Sequence, residues 1–164
     1  MSSDGLRYFE DFAVGEVVEL GSYPPLSEAE IVAFARQWDP QPFHLDPERA
    51  KQSMFGGLVA SGWHTGAIAM RLLVDGLLSG SASQGSPGLD HLRFRRPVRP
   101  GDVLSGRYTV VAVAPSASRP RLGKVTGRTE LINQDGEVAL SMEATGFYLR
   151  REGPVVHQPA DRPG

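Results

Sequence analysis

Cysteine is absent from the 164 residues of this chain. Disulfide bonds, thiolate nucleophiles and thiolate metal ligands are therefore excluded within it. Long hydrophobic runs are also absent: the most apolar stretch, 66–78, is interrupted by Arg71 and Asp75 and is too short to span a bilayer. The N-terminus lacks the basic and apolar regions of a secretory signal. We expect a soluble, cytoplasmic protein that does not bind a membrane.

Basic charge is not in excess. Lys and Arg number 17 against 19 Asp and Glu, which gives a formal net charge of -2 and disfavours nucleic acid as a partner. Apolar residues make up 40% of the chain and charged residues 22%, an ordinary globular composition. We predict a single domain over 1–152, followed by a poorly ordered tail over 153–164 that contains several prolines.

The helix that follows the first predicted strand (14–20) has both a start signal and a stop signal. Ser27 and Glu30 have the spacing of a capping box, in which side chains satisfy the free amides of a helix start. Pro40 disfavours helical geometry at Asp39, so the helix should end there. Between these signals, four apolar residues have the spacing of a stripe that faces a core: Ile31, Phe34, Ala35 and Trp38.

A second helix, predicted over 62–78 with Ser61 as its N-cap, is the most apolar part of the sequence. Apolar residues lie on nearly every side of this helix, so we expect it to be buried. Between the two helices we predict a loop over 40–46 that is stiffened by prolines, and a short helical turn over 47–52.

The rest of the chain is predicted to form β-strands after a Gly- and Ser-rich loop over 79–88. The four strands form an antiparallel meander: 89–98, 103–113, 122–133 and 137–149, with a hairpin turn at 133–136. One long apolar helix and four or five strands indicate an α+β hot-dog fold, in which a curved antiparallel sheet wraps around one long buried helix. Such a sheet leaves an edge that a second subunit can cover, so we expect a homodimer or a higher homo-oligomer.

Asp39 and His44 are the candidate catalytic residues. They lie five positions apart on the proline-stiffened loop, so a carboxylate and an imidazole can act on one small molecule such as water. Adding water to a 2-enoyl thioester requires a base for the water, an acid for C2 and stabilisation of charge on the thioester oxygen. The pair can share the first two tasks. The helix start at Gly62 and Trp63, with its free amides, can perform the third. The structural alternative is an ordinary turn aspartate and a hydrogen-bonded loop histidine.

The same segments resemble the MaoC-like and (R)-specific enoyl-CoA hydratase branch of the hot-dog superfamily. The similar features are an Asp-x-x-Pro-x-His-x-Asp motif at 39–46, a Phe-Gly-Gly turn at 55–57 and a small-residue-Gly helix start at 60–62, together with the segments 8–12 and 96–102. The resemblance implies reversible hydration of a 2-enoyl thioester, or dehydration of the 3-hydroxyacyl partner. The substrate would be carried by CoA or an acyl carrier, without a metal or a further cofactor.

The resemblance also implies roles for individual residues. Asp39 and His44 would position the water, and the amide of Gly62 would contact the thioester oxygen. The predicted substrate and oxyanion site contains four residues: Phe43, Ser61, Gly62 and Trp63.

One position departs from the family pattern. Met70 stands where some hydratases of this type carry a supporting serine, which leaves open a non-catalytic acyl-thioester-binding protein. Ala67 and Met70 could line an acyl tunnel or belong to the core. The other alternative is a hot-dog acyl-CoA thioesterase. Thioesterases of this fold usually rely on a carboxylate in the long helix, and none occurs between Gly62 and Val74.

Other polar residues have structural interpretations. We predict that His64 is a core or pocket-wall histidine, and no spacing favours a metal site that combines it with His44 and Asp46. Arg93 and Arg95 lie two positions apart in a predicted strand, so both side chains point to one face. There they could bind CoA phosphates, although a solvent-exposed face is the more common situation.

Overall fold

A five-stranded antiparallel sheet and one long helix form the frame of the protein in the computed structural model, which describes residues 5–151. The predicted tail over 153–164 lies outside this range. The order of the strands across the sheet is β1-β3-β4-β5-β2, so β1 and β2 are its two edges. The strands are β1 (Val17–Ser22), β2 (Leu89–Phe94), β3 (Ser105–Pro115), β4 (Leu122–Ile132) and β5 (Val138–Leu149).

Four α-helices precede or connect the strands in the described range: α1 (Glu28–Trp38), α2 (Pro42–Leu45), α3 (Pro47–Ala50) and α4 (Gly62–Gly76). Two 3-10 helices of one turn each lie at Phe9–Asp11 and Leu78–Gly80. The segment 40–46, predicted as a loop, contains the one-turn helix α2. Pro42 is its first residue, a position where the missing N–H and the fixed φ of proline favour helix formation. Among the helices of the described range, none combines the length and the apolar composition of a transmembrane span.

The start of α1 forms only half of the predicted capping box. Ser27 Oγ accepts a hydrogen bond from Glu30 N at 3.1 Å, but the Glu30 carboxylate accepts one from the Tyr23 hydroxyl at 2.5 Å instead of closing the box. The helix ends before Asp39, as predicted. Trp38 does not face the core and is 66% exposed, although Ala35 in the same turn is fully buried.

α4 packs one face against the sheet. Four residues of α4 point to that side: Ile68, Ala69, Leu72 and Leu73. They share one core cluster with residues of β1, β3, β4 and β5: Leu20, Val110, Val125, Leu131 and Leu140. Each buried leucine, isoleucine or valine of this cluster contributes roughly 1.5–3 kcal/mol relative to an exposed one, so the cluster fixes the helix on the sheet.

The opposite face of α4 is exposed, so the prediction that the helix is buried on nearly every side is wrong. Trp63 is 64% exposed, Met70 45% and Val74 37%, and Ala67 is exposed on the same side. A single sheet covers only one side of a helix, and no other segment of the described chain lies over the outer face. Ala67 and Met70 therefore do not belong to the core of the single chain.

The strands of the second half lie close to their predicted positions, but β2 ends at Phe94 and not at residue 98. Pro97 has no N–H with which to continue the ladder. The amides of Arg95 and Arg96 both donate to the carbonyl of Ala139, at 2.8 and 3.2 Å, so the regular register is lost at this point.

The predicted turn between β4 and β5 is present. Asn133 Oδ1 accepts hydrogen bonds from the amides of Asp135 and Glu137, both at 3.0 Å, and Gly136 has a φ of 78°, which favours glycine. The whole arrangement, a long helix lying on a five-stranded antiparallel sheet, is the α+β hot-dog fold that the sequence predicts.

Candidate active site

A cleft of about 330 Å³ opens where α2, the start of α4 and the segment after β2 meet. The extended segment 58–60 holds these parts together: Val59 N donates to the Phe43 carbonyl at 3.1 Å, and Ala60 N donates to the Val98 carbonyl at 2.8 Å. The structure brings five of the six predicted site residues to the wall of this cleft: Asp39, Phe43, His44, Gly62 and Trp63.

Asp39 is the C-cap residue of α1, and its two carboxylate oxygens have different partners. The Ser61 hydroxyl donates to Oδ2 at 2.7 Å, and Gln41 Nε2 donates to Oδ1 at 2.8 Å. Burial by itself would raise the pKa of Asp39, but these two hydrogen bonds and the nearby His44 hold that pKa below its ordinary value of 3.8. The carboxylate is therefore ionised at neutral pH.

His44 is buried, with 7% of its side chain exposed, and its orientation is fixed by a hydrogen bond at Nδ1. Nδ1 lies 2.7 Å from the carbonyl oxygen of Val59. Because a carbonyl can only accept, we assign the ring hydrogen of the neutral form to Nδ1, which leaves a lone pair on Nε2. Nε2 lies 3.3 Å from Asp39 Oδ2. The Phe43 ring packs edge-on against the imidazole, with ring centroids 4.6 Å apart.

Two acceptors thus lie side by side at the cleft: the lone pair of His44 Nε2 and the charged Oδ2 of Asp39. A water molecule has two hydrogens to donate, and donation to both acceptors leaves its oxygen lone pairs directed away from them. The arrangement is thus suited to a small ligand that carries two hydrogen-bond donors.

Ser61 is the predicted site residue that does not line the cleft. It is fully buried behind Asp39, where its hydroxyl accepts from Trp63 N at 3.2 Å and donates to Asp39. Its role as the N-cap of α4 is confirmed. The structure thus places Ser61 in contact with the carboxylate and away from the space that a substrate would occupy.

Gly62, the first residue of α4, lines the cleft, and its amide has no acceptor within the helix. A glycine is needed here for packing: a Cβ on residue 62 would lie 2.5 Å from Cζ of Phe94, so the ring of Phe94 occupies the space that a side chain would need.

Three contributors to the site were not predicted from the sequence. Gln41 belongs to the motif loop, but an amide in a turn gives no sign that it will face a carboxylate. Val59 acts through its backbone carbonyl, for which a sequence has no signal. Phe94 reaches the cleft from a strand that is distant in the chain.

The residues considered for a metal site have separate partners. The Asp46 carboxylate caps α3 by accepting from two of its amides. His64 is buried, stacks on Phe34 with ring centroids 4.6 Å apart, and has Nε2 3.5 Å from Glu30, whereas His44 faces Asp39. Within the described part of the chain, no group of three or more histidine and carboxylate side chains is arranged to hold a metal ion.

Comparison with known proteins agrees with this fold. Residues 11–134 match the family described as MaoC like domain. The chain is 30% identical over 151 residues to the 3-hydroxybutyryl-CoA dehydratase of Methylorubrum extorquens, covering 89% of this chain and 93% of that protein. It is 29% identical over 153 residues to the (R)-specific enoyl-CoA hydratase of Rhodospirillum rubrum, covering 88% and 95%. The crystal structure of a MaoC-like dehydratase from Rhodospirillum rubrum has a TM-score of 0.82 and 45% identity, and the match covers 89% of this chain and 99% of that one. The chain belongs to the family of MaoC-like dehydratase domains.

Proposed function

We propose that this protein is a hydro-lyase that reversibly adds water to the double bond of a 2-enoyl thioester. The observation that carries the proposal is the pair formed by Asp39 Oδ2 and His44 Nε2, 3.3 Å apart in a cleft beside the start of α4. The named activities of the relatives, a 3-hydroxybutyryl-CoA dehydratase and an (R)-specific enoyl-CoA hydratase, support the substrate class. The acyl group would be carried by CoA or an acyl carrier.

In this proposal the pair holds the attacking water. The water oxygen forms a bond to C3 of the enoyl group, and one of its protons passes to the Asp39–His44 pair. The pair then returns a proton to C2, so that it ends in its starting protonation state and one molecule of water has been added across the double bond. The tautomer fixed by the Val59 carbonyl leaves Nε2 of His44 free to accept.

The start of α4 would stabilise the charge that develops on the thioester oxygen. The Gly62 amide has no partner within the helix and lines the same cleft as the reactive pair. α4 is 15 residues long, so the positive end of its dipole adds to the effect of the amide. We assign the thioester oxygen to this amide, which places C3 of the substrate toward Asp39 and His44.

We propose a short acyl chain for the first substrate to be tested. Its volume of about 330 Å³ is at the small end of the range for ligand sites. Phe43, Phe55 and Trp63 contribute aromatic surface to it. Crotonyl-CoA, with four acyl carbons, is therefore the appropriate first substrate.

We also propose that two chains associate through the edge strand β2 and the outer face of α4. Leu89 and Phe94 on β2 are 52% and 54% exposed, and Met70 and Val74 on α4 are exposed as well. Phe94 packs against Gly62 at the start of α4, so the strand edge and the helix face adjoin. A second copy placed here would cover the edge and the apolar face on the helix side of the sheet. Arg93 points to the other side, because successive side chains of a strand alternate and its neighbour Phe94 packs against α4.

The direct test is to mix the wild-type protein with crotonyl-CoA and follow the ultraviolet absorbance of the enoyl thioester together with free thiol. Loss of the absorbance, with formation of 3-hydroxybutyryl-CoA and no thiol, is the expected result. Release of CoA thiol would identify a thioesterase instead. Binding of crotonyl-CoA without either reaction would identify a non-catalytic acyl-thioester-binding protein.

A further inference from the structure

A second groove, of about 650 Å³, lies along the edge strand β2 and crosses onto β5 and β4. Basic side chains from separate parts of the sequence converge on it: His91, Arg93, Arg95 and Arg128. Two carboxylates, Glu130 and Glu143, line the same groove. Whether the groove favours an anion therefore depends on how these charges are paired.

The carboxylates of the groove have arginine partners of their own. Arg128 Nη2 lies 2.8 Å from Glu143 Oε1, and Arg107 Nη2 lies 2.9 Å from Glu130 Oε2. These contacts neutralise both acids and use the charge of Arg128. The groove keeps the positive charges of its other two arginines.

Arg93 and Arg95 are those two arginines, and between residues 5 and 151 neither forms an ion pair with a carboxylate. Their neighbour Arg96, by contrast, is paired with Glu137. The cluster of three arginines in the sequence is thus divided by the structure into one paired residue and two unpaired ones that face one groove.

Each of the two guanidinium groups is anchored by one hydrogen bond. Arg95 Nε donates to Ser141 Oγ at 2.8 Å, and Arg93 Nη1 donates to the Leu92 carbonyl at 2.9 Å. A guanidinium carries five N–H donors, so most of them remain for a ligand. Anchored guanidinium groups on one groove suit a phosphate, which arginine binds through paired, charge-assisted hydrogen bonds.

Arg95 lines both this groove and the candidate active site, so the two adjoin at this residue. A thioester whose acyl end lies between Asp39 and Gly62 must extend its carrier arm out of the cleft, and Arg95 stands on that boundary. The carriers of acyl thioesters have a phosphate at the far end of the pantetheine arm, and CoA has additional phosphates on its nucleotide.

We propose that this groove binds the phosphate-bearing end of the thioester carrier, with Arg93 and Arg95 as the phosphate ligands. The assignment rests on the proposed function for the identity of the carrier. It assigns a binding site to residues outside the reactive cleft and predicts that they act on substrate affinity and not on the chemical step.

The test compares wild type with Arg93→Gln on three substrates of equal acyl length: crotonyl-CoA, crotonyl-4′-phosphopantetheine and crotonyl-pantetheine, which has no phosphate. Loss of one charge-assisted contact should raise KM for crotonyl-CoA about 10-fold and leave kcat within about 2-fold. KM for crotonyl-pantetheine should not change. Arg119→Gln, an exposed arginine at the opposite end of β4 and β5, is the matched control and should leave all three KM values unchanged.

The phosphate-bearing substrates separate the two sources of phosphate. A raised KM for both CoA and phosphopantetheine thioesters assigns the pantetheine phosphate to the groove, and a raised KM for CoA alone assigns the nucleotide phosphates. An unchanged KM for both, or an equal rise with crotonyl-pantetheine, overturns the proposal.

Failure of the hydratase function would be a separate result. If the wild-type protein hydrates none of these thioesters, calorimetric titration with CoA tests the groove directly. Binding of CoA that is about 10-fold weaker in Arg93→Gln supports the phosphate site. Equal binding in the two proteins, or no binding to wild type, overturns it.

Discussion

At the scale of single residues, Ser61 connects the frame of the protein to its reactive pair. Its hydroxyl accepts from Trp63 N at 3.2 Å, which caps α4, and donates to Asp39 Oδ2 at 2.7 Å. A hydrogen bond to a carboxylate favours its charged form, so this hydroxyl helps to keep the pKa of Asp39 low. The stability of α4 and the ionisation of Asp39 therefore depend on the same atom.

Ser61→Ala should change both properties. Loss of the cap should lower the free energy of unfolding by about 1–2 kcal/mol in urea denaturation. Loss of the hydrogen bond should raise the pKa of Asp39. Because activity requires the carboxylate and is lost as pH falls through its pKa, the acid side of the kcat/KM profile should move to higher pH.

Ser27→Ala is the matched control for this prediction. Ser27 caps α1 in the same way, by accepting from Glu30 N at 3.1 Å, and its exposed hydroxyl has no contact with Asp39. This variant should lose stability and keep the pH profile of wild type. A profile that is unchanged in Ser61→Ala as well would show that the hydroxyl does not tune the carboxylate.

The sequence predicts the part of the candidate site that is formed by side chains of one motif. The short loop between Asp39 and His44 predicts that the two side chains can meet, and the structure places them side by side. Asp46 belongs to the same motif but caps α3, since a carboxylate before a proline-initiated helix satisfies the nearby amides. The backbone partner of His44 could not be predicted, because any residue at 59 offers the same carbonyl.

At the scale of secondary-structure elements, two histidines near the start of α4 have different surroundings. His44 lies at the cleft by the start of the helix, whereas His64 lies on the helix itself, buried between Phe34 and Glu30. Nδ1 of His64 is buried without a hydrogen-bond partner. Burial disfavours the charged ring and lowers the pKa of His64 below its ordinary value of 6.5, although Glu30 acts in the opposite direction.

This histidine should make the stability of the protein depend on pH. The unfolded chain binds the proton more readily than the folded one, so the contribution of His64 is complete above about pH 6.5 and is lost as pH falls toward the lower folded-state pKa. His64→Phe keeps an aromatic ring against Phe34 and cannot be protonated. Thermal or urea unfolding between pH 7.5 and pH 5 should show a smaller loss of stability in this variant than in wild type.

An equal loss of stability in both proteins over this range would show that His64 does not titrate on unfolding. His91→Phe provides the comparison, since His91 is exposed on β2. This second variant should follow the pH dependence of wild type.

The predicted elements were correct in kind, and the errors have local causes. The segment 62–78 has too few polar residues to reveal an outer face, so periodicity alone indicated burial on nearly every side. The sequence does not distinguish a face covered by the chain's own sheet from one left open for a second copy. β2 ends early because the amides of Arg95 and Arg96 share the carbonyl of Ala139 before Pro97. The sequence alone does not show this loss of register.

At the scale of the whole molecule, the two edges of the sheet differ in their surroundings. β2 adjoins the exposed apolar face of α4, whereas β1 lies at the far side of the sheet. The strand pattern predicted the fold because one apolar helix and a meander of four strands have few arrangements that bury a common core. It also predicted an unpaired edge, but not which of the two edges adjoins an apolar face.

Met70→Glu should therefore weaken self-association. Met70 is 45% exposed on the outer face of α4, and a carboxylate buried there without a partner should raise the dimer dissociation constant by about 10²-fold or more. Sedimentation equilibrium should give twice the chain mass for wild type and the single chain mass for the variant at low micromolar concentration.

Val17→Glu, on the opposite edge strand, is the control, since Val17 is exposed to a similar degree at 52%. It should remain dimeric. Dissociation of the dimer by Val17→Glu and not by Met70→Glu would assign the interface to β1 instead.

The most direct test of the central claim is the turnover of crotonyl-CoA by Asp39→Asn and His44→Ala, with Asp46→Asn as the control. Asparagine is also a good N-cap, so the control should keep α3 and turn over at nearly the wild-type rate. We predict that kcat falls by about 10²-fold or more in each of the two site variants, because each loses one partner of the proton transfers. A kcat within about 10-fold of wild type in either variant would contradict the assignment of the water to the Asp39–His44 pair.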